Sequence, residues 1–113
     1  MRNLNLLVLR CRELERTKAF YELFGLAFVK EVHGTGPEHY AATDDVGVLE
    51  LYPAETGGAD RTGLGFAFPE IENLHLALRK AQYAPQKIRE TELGRTFVVH
   101  DPDGRRVEIK QLA

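Results

Sequence analysis

The chain has 113 residues, of which 43% are hydrophobic and 28% are charged, and these values are ordinary for a globular protein. This length predicts a single domain, residues 1–113, that is large enough to bury a hydrophobic core. The net charge of −2 gives no basic surface for nucleic acid, and we expect neither a signal peptide nor a membrane span. The single cysteine, Cys11, cannot form an internal disulfide, so we expect a cytoplasmic protein in which Cys11 is a small buried residue.

Hydrophobic periodicity predicts the elements of the first half of the chain. The predicted elements are a strand at 4–11, a helix at 13–24, and strands at 27–32, 38–43 and 47–52. In the helix, Leu14, Phe20, Tyr21 and Phe24 form one apolar stripe, and Gly25 is placed to end it. Residues 53–61 are rich in Gly, Pro, Thr and Ala, which indicates a linker.

The second half repeats the order βαβββ. Its predicted elements are a strand at 63–68, a helix at 71–81, and strands at 86–91, 95–100 and 106–111. Glu13-Leu14 corresponds to Glu70-Ile71 at an offset of 57 positions, and Glu50 corresponds to Glu108 at an offset of 58. An internal repeat of this kind predicts an α+β fold built from two βαβββ modules, residues 1–53 and 62–113.

The last two strands are joined by the turn sequence Asp101-Pro102-Asp103-Gly104. Proline presets φ, the aspartate side chains accept hydrogen bonds from nearby backbone, and glycine tolerates a positive φ. In the strand that follows, Val107 and Ile109 share one face by the two-residue period, so Glu108 points to the opposite face.

Several of these stretches together resemble the vicinal oxygen chelate superfamily, the group of glyoxalase I, bleomycin-resistance proteins and extradiol dioxygenases. The resemblance covers nearly the whole chain and rests on the tandem modules and on these stretches: Arg12-Glu13-Leu14, Ala19-Phe20-Tyr21, Gly25-Leu26, Asp101-Pro102-Asp103-Gly104 and Glu108. It implies a curved, half-closed, eight-stranded sheet with the helices outside and a small-molecule ligand bound within. It also implies a homodimer, because a second chain commonly completes the open wall of strands.

The resemblance further implies which side chains face the ligand. The candidate ligand-binding residues are Leu6, Val8, Arg10, Glu50, Gly63, Gly65 and Glu108. A glycine on the inward face either lets a ligand approach the backbone or only marks a bend in the strand. Arg10 is either an anion site or the partner of Glu50 or Glu108, and we favour pairing because an unpaired buried charge is costly.

Metal-using relatives take four ligands, a His or Gln early in the first strand and a Glu late in the last strand of each half. In this chain Glu50 and Glu108 fill the two Glu positions, but Leu6 and Gly63 fall on the other two. Two carboxylates alone are a poor transition-metal site, although Mg²⁺ with several waters could bind between them. We therefore expect no metal and no other cofactor; if a divalent metal does bind, Glu50 and Glu108 are its predicted ligands.

The four histidines offer no obvious replacement for the missing ligands. His33 and His75 are expected in solvent. His39 and His100 could reach the rim of the cavity, where an imidazole could transfer protons, but a surface or rim histidine without chemistry is the more common case.

Two classes of function follow from the resemblance. The first is a metal-free small-molecule binder like the bleomycin-resistance proteins, which needs an apolar pocket and no ligand set for a metal. The second is a divalent-metal-dependent lyase or dioxygenase-like enzyme, which needs four convergent ligands. A catalytically silent scaffold is a third possibility, and the sequence identifies no catalytic residue.

Overall fold

The computed structural model describes residues 2–57 and 60–113, and the chain divides into two compact units, residues 1–58 and 59–113. The first unit contains β1 (Leu6–Cys11), α1 (Leu14–Glu22), β2 (Val29–Glu31), β3 (His39–Thr43) and β4 (Val48–Pro53). The second contains β5 (Leu64–Phe68), α2 (Glu72–Lys80), β6 (Arg89–Thr91), β7 (Gly94–His100) and β8 (Arg106–Gln111). The predicted α+β fold with two βαβββ modules is confirmed. Part of the predicted linker, residues 58 and 59, lies outside the described residues, and the single domain over 1–113 stays a prediction.

The eight strands form two four-stranded mixed sheets, one in each unit, with the strand orders β1-β4-β3-β2 and β5-β8-β7-β6. In each sheet the first strand runs parallel to the last, and the remaining pairs are antiparallel. Neither sheet closes into a barrel within residues 2–57 and 60–113. In those same stretches, both helices are too short to cross a membrane, and the cytoplasmic location stays a prediction.

Two strands are only half as long as predicted. Residues 27–32 contribute only Val29–Glu31 to β2, and residues 86–91 contribute only Arg89–Thr91 to β6. Both strands are the outermost in their sheets and pair with a single neighbour over three residues. The flanking residues are outside the ladders, although the N–H of Gln86 still donates to the Val98 carbonyl oxygen at 2.8 Å.

Helix α1 is held against the first sheet by its apolar stripe. Phe20 and Tyr21 are completely buried, with their rings in edge-on contact at 4.9 Å between centroids. Below them, the side chains of Leu9, Cys11 and Leu51 are buried to 1% exposure or less. The buried position predicted for Cys11 is confirmed, and this face of the sheet is closed by the helix.

Helix α2 contacts the second sheet in a similar way. Leu74 and Leu78 are buried on one side of the helix, as predicted from their spacing. His75, which was expected in solvent, packs edge-on against the ring of Phe97 at 4.9 Å, and its Nε2 lies 2.9 Å from the carbonyl oxygen of Gln86. The histidine therefore connects the helix to β7 and to the segment that leads into β6.

The turn between β7 and β8 has the predicted backbone. The Asp101 carboxylate accepts hydrogen bonds from the backbone N–H groups of Asp103 at 2.9 Å and Arg105 at 3.0 Å. The N–H of Gly104 donates to the Asp101 carbonyl oxygen at 2.9 Å, and Gly104 has φ +88°. Each residue type in the turn thus has the role expected from the sequence.

Arg105, which the sequence did not single out, is the largest fully buried side chain of the described residues. Its guanidinium contacts the carboxylates of Asp60 at 2.7 Å, Asp101 at 3.0 Å and Asp103 at 3.5 Å. Burial by itself would lower the pKa of Arg105, but the hydrogen bonds to Asp101 and Asp60 outweigh it and raise the pKa above its usual value. The pKa of Asp60 is also lowered, mainly by its hydrogen bonds with Thr62, the backbone N–H first, and to a smaller extent by its hydrogen bond with Arg105. The closing turn is therefore anchored by a permanently charged group.

Candidate functional site

The face of the first sheet that α1 leaves uncovered carries the predicted inward residues of β1. Leu6 and Val8 are 49% and 38% exposed, and Arg10 is exposed as well, whereas Leu9 between them is buried. Glu50 of β4 lies beside Val8 in the parallel ladder. The two-residue period therefore places apolar side chains and one carboxylate on the same open face.

Arg10 packs over an aromatic ring on this face. Its guanidinium carbon lies 4.8 Å from the ring centroid of Tyr52, which is its register partner in β4. A guanidinium over a tyrosine face gains cation–π attraction. The predicted roles of Arg10 as an anion site or as the partner of Glu50 or Glu108 stay predictions.

On the second sheet, the predicted ligand-facing positions Gly63 and Gly65 carry no side chain. Gly65 is aligned with Glu108, which in turn is aligned with Val98. A methyl group added to Gly65 would come no closer than 4.0 Å to another residue beyond its neighbours, and one added to Gly63 would meet nothing within 4 Å. Neither glycine has a positive φ. The backbone does not require glycine at these positions, and the two alternatives, close approach of a ligand and a bend in the strand, both stay predictions.

A shallow depression of about 90 Å³ lies in the second unit beside Glu108. Three cationic side chains, Lys87, Arg89 and Arg106, border it together with this carboxylate. Arg106 and Glu108 are 3.5 Å apart and both more than half exposed. The depression therefore offers positive charge for an acidic group.

Two of the four positions that hold the metal in metal-using relatives have no side-chain donor in this chain. Leu6 ends in methyl groups and Gly63 has no side chain, so only Glu50 and Glu108 supply donor atoms. Borderline divalent ions favour imidazole nitrogen or thiolate in the donor set. No reaction step is therefore assigned to a metal at these positions.

His39, at the start of β3, is buried to 1% exposure, so the alternative in which it is a surface residue is wrong. Its ring stacks on Tyr52 with 4.1 Å between centroids and 8° between planes, and its Nδ1 lies 3.2 Å from the carbonyl oxygen of Pro37. Its Nε2 lies 3.3 Å from Glu31 Oε1 and 3.8 Å from Glu50 Oε2. Nevertheless Nε2 is buried without a hydrogen bond.

His33 lies beside this group on the segment that follows β2. Its side chain is 70% exposed, as expected, and its Nε2 lies 3.4 Å from Glu31 Oε1. The rings of His33 and His39 are 5.0 Å apart. One donor atom from each of Glu31, His33 and His39 lies within 4.8 Å of the other two, and these three residues are called the hairpin cluster below.

Comparison with known proteins agrees with this fold. A sequence model of the Glyoxalase/Bleomycin resistance protein/Dioxygenase superfamily matches residues 3–109. The chain belongs to this superfamily. A comparison with curated protein sequences found no match to the chain.

Several solved structures share this fold and align with nearly the whole of this chain, among them the following three. The antibiotic-binding protein TnmS3 from Streptomyces sp. CB03234 has 19% identity and a TM-score of 0.82, covering 100% of this chain and 98% of its own. A glyoxylase/bleomycin resistance protein/dioxygenase domain from Frankia sp. EAN1pec has 18% identity and a TM-score of 0.78, covering 100% and 99%. Lactoylglutathione lyase from Agrobacterium tumefaciens has 16% identity and a TM-score of 0.72, covering 96% and 92%. At these identities the likeness shows the fold alone.

The hairpin cluster was not predicted from the sequence. Glu31 and His33 are two residues apart, and His39 pairs directly with Glu31 across the β2–β3 ladder. The two-residue spacing was visible in the sequence, but the pairing depends on how residues 32–38 turn back. Without that register, His33 could only be interpreted as a solvated residue.

Proposed function

We propose that this superfamily member binds a small organic molecule on the open faces of its sheets and does so without the four-residue metal set of its metal-using relatives. The observation that carries the proposal is the residue pair at the two missing ligand positions. Leu6 adds exposed apolar surface where a metal ligand would stand, and Gly63 leaves its position open.

The surface chemistry supports a ligand with apolar area. Leu6 and Val8 form exposed apolar surface on one face of the first sheet. Ligand sites in proteins are mostly apolar, with a few polar groups that fix orientation. Glu50 and Arg10 are polar groups of that kind on the same face. The antibiotic-binding protein TnmS3 shows that the fold accommodates such a function in another chain.

A divalent-metal-dependent lyase or dioxygenase-like enzyme is the second candidate. It is favoured by one observation, the presence of carboxylates at both Glu positions, Glu50 and Glu108. The same fold is also used by a lactoylglutathione lyase. This candidate is weakened because the side chains of Leu6 and Gly63 supply no donor atom for a metal.

Binding is tested with a library of aromatic fragments screened by ligand-observed NMR, followed by titration of the strongest hit. We expect Val8→Glu to weaken that hit at least about tenfold, because a carboxylate among apolar contacts must be desolvated without a partner. Val46→Glu is the matched control, since Val46 is 71% exposed in the turn before β4. Equal loss in both variants, or no hit in the library, would contradict the proposal.

We also propose that the protein is a homodimer. Each four-stranded sheet has two edge strands, β1 and β2 in the first and β5 and β6 in the second, and exposed strand edges in proteins are usually covered. Sedimentation velocity at micromolar concentration is expected to give twice the mass of the chain, 12.8 kDa. A single species at the mass of one chain would count against the dimer.

A further inference from the structure

We propose that the hairpin cluster, Glu31, His33 and His39, is a binding site for a divalent transition-metal ion of the Zn²⁺ class. None of these three ligands is one of the four family positions considered above, although Glu50 of β4, which is one of those positions, lies 3.8 Å from His39 Nε2. It lies within the first unit and uses only the β2–β3 hairpin. The proposal does not depend on whether the protein binds a small organic molecule.

The spacing of the donor atoms matches a tetrahedral ion. Ligand bonds of about 2.0–2.1 Å place neighbouring donor atoms of a tetrahedral zinc site roughly 3.3–3.4 Å apart. Glu31 Oε1 lies 3.4 Å from His33 Nε2 and 3.3 Å from His39 Nε2. Two of the three separations therefore already match those that a shared ion imposes, and all three donor atoms lie within 4.8 Å of one another.

The orientation of His39 is that of a metal ligand. Its Nδ1 faces the carbonyl oxygen of Pro37, which can only accept, so this contact favours the tautomer with the hydrogen on Nδ1. In the neutral ring Nε2 then presents a lone pair toward Glu31 and Glu50. A ligating histidine commonly donates its other ring N–H to a backbone carbonyl in this way.

The unpartnered nitrogen is the second, independent observation. His39 Nε2 is buried and makes no hydrogen bond, although two carboxylates are close to it. A buried polar atom without a partner is costly. A lone pair facing carboxylate oxygens is also repulsive, and an ion held between them removes both costs.

Charge and donor type identify the class of ion. Glu31 and Glu50 carry two negative charges near His39, which balance a divalent cation when both imidazoles are neutral. Imidazole nitrogen with carboxylate oxygen is a zinc donor set, whereas Mg²⁺ and Ca²⁺ favour oxygen alone. Three protein ligands also leave one coordination position open to water.

The hairpin holds the three side chains in place. Glu31 and His39 are paired in the β2–β3 ladder. The N–H of Gly36 donates to the His33 carbonyl oxygen at 3.0 Å, which closes a turn directly after that ligand. Stacking on Tyr52 fixes the His39 ring. The backbone at the three ligands and the ring of His39 are therefore fixed before the ion binds.

The test is a calorimetric titration with ZnCl₂ of untagged protein that has been stripped with a chelator. We expect one ion per chain in the wild type. His33→Ala is the main variant, because the side chain is 70% exposed and its removal is expected to leave the fold intact. Loss of this ligand is expected to lower zinc affinity by at least about tenfold. Loss of a residue that only supports a metal ligand already lowers affinity by about tenfold or more. Glu31→Gln is expected to act in the same direction.

His100→Ala and Glu108→Gln are the matched controls, because each removes an exposed side chain of the same type from the second unit. Both are expected to bind zinc as the wild type does. Absence of zinc binding in the wild type, or equal affinity in His33→Ala and the wild type, would overturn the proposal. Loss of zinc in Glu108→Gln would overturn it as well, because the ion would then occupy the family position.

Discussion

Replacing Arg105 with methionine is expected to destabilise the protein by about 3–5 kcal/mol, the usual cost of removing one partner from a buried ion pair. Arg105 is fully buried, and the side chains of Asp101 and Asp103 beside it are 0% and 6% exposed. Methionine fills much of the volume but leaves these carboxylates without their cation. Urea unfolding followed by circular dichroism measures the change in the free energy of unfolding.

The adjacent residue supplies the control for this experiment. Arg106 is 59% exposed and pairs only loosely with Glu108 at 3.5 Å. Exposed pairs of this kind contribute about 0–1 kcal/mol, so Arg106→Met is expected to leave stability nearly unchanged. A similar small effect from Arg105→Met would mean that the buried network does not anchor the closing turn.

Phe20→Ala is expected to cost about 3–5 kcal/mol, as truncation of a buried phenylalanine usually does. Phe20 is completely buried and contacts the rings of Tyr21 at 4.9 Å and Phe24 at 5.3 Å. The lost ring leaves a cavity between α1 and the sheet. The free energy of unfolding is again measured with urea.

Leu76→Ala is the control for Phe20→Ala, because Leu76 lies in a helix but is 42% exposed. Substitutions at such positions usually change stability by less than about 1 kcal/mol. If Phe20→Ala cost no more than Leu76→Ala, the packing of α1 described above would be wrong.

The sequence predicted those features that depend on local period and on the repeat. Leu9 and Cys11 are buried and Leu6 and Val8 are exposed, which is the alternation that the two-residue period of a strand predicts. Which of the two faces the helix covers was implied by the family resemblance and not by the period. The turn before Arg105 was also predicted, since each of its residue types has a known backbone role.

Features that depend on long-range pairing could not be predicted in this way. The Arg105 network needs Asp60, which lies 45 positions earlier in the chain. The hairpin cluster needs the register that places Glu31 opposite His39. Neither distance is encoded in a period, and a charged residue such as Arg105 is rarely fully buried.

The central claim is that ligand binding does not use the two carboxylates as metal ligands, and the double variant Glu50→Gln, Glu108→Gln tests it most directly. The strongest fragment hit is titrated into the wild type and the double variant, each with and without EDTA. We predict largely unchanged affinity in all four titrations, because glutamine keeps a hydrogen-bonding group of nearly the same size at each position and because Leu6 and Gly63 leave the metal set incomplete. Binding that requires metal in the wild type and is lost in the double variant would contradict the account and would favour the metal-dependent enzyme.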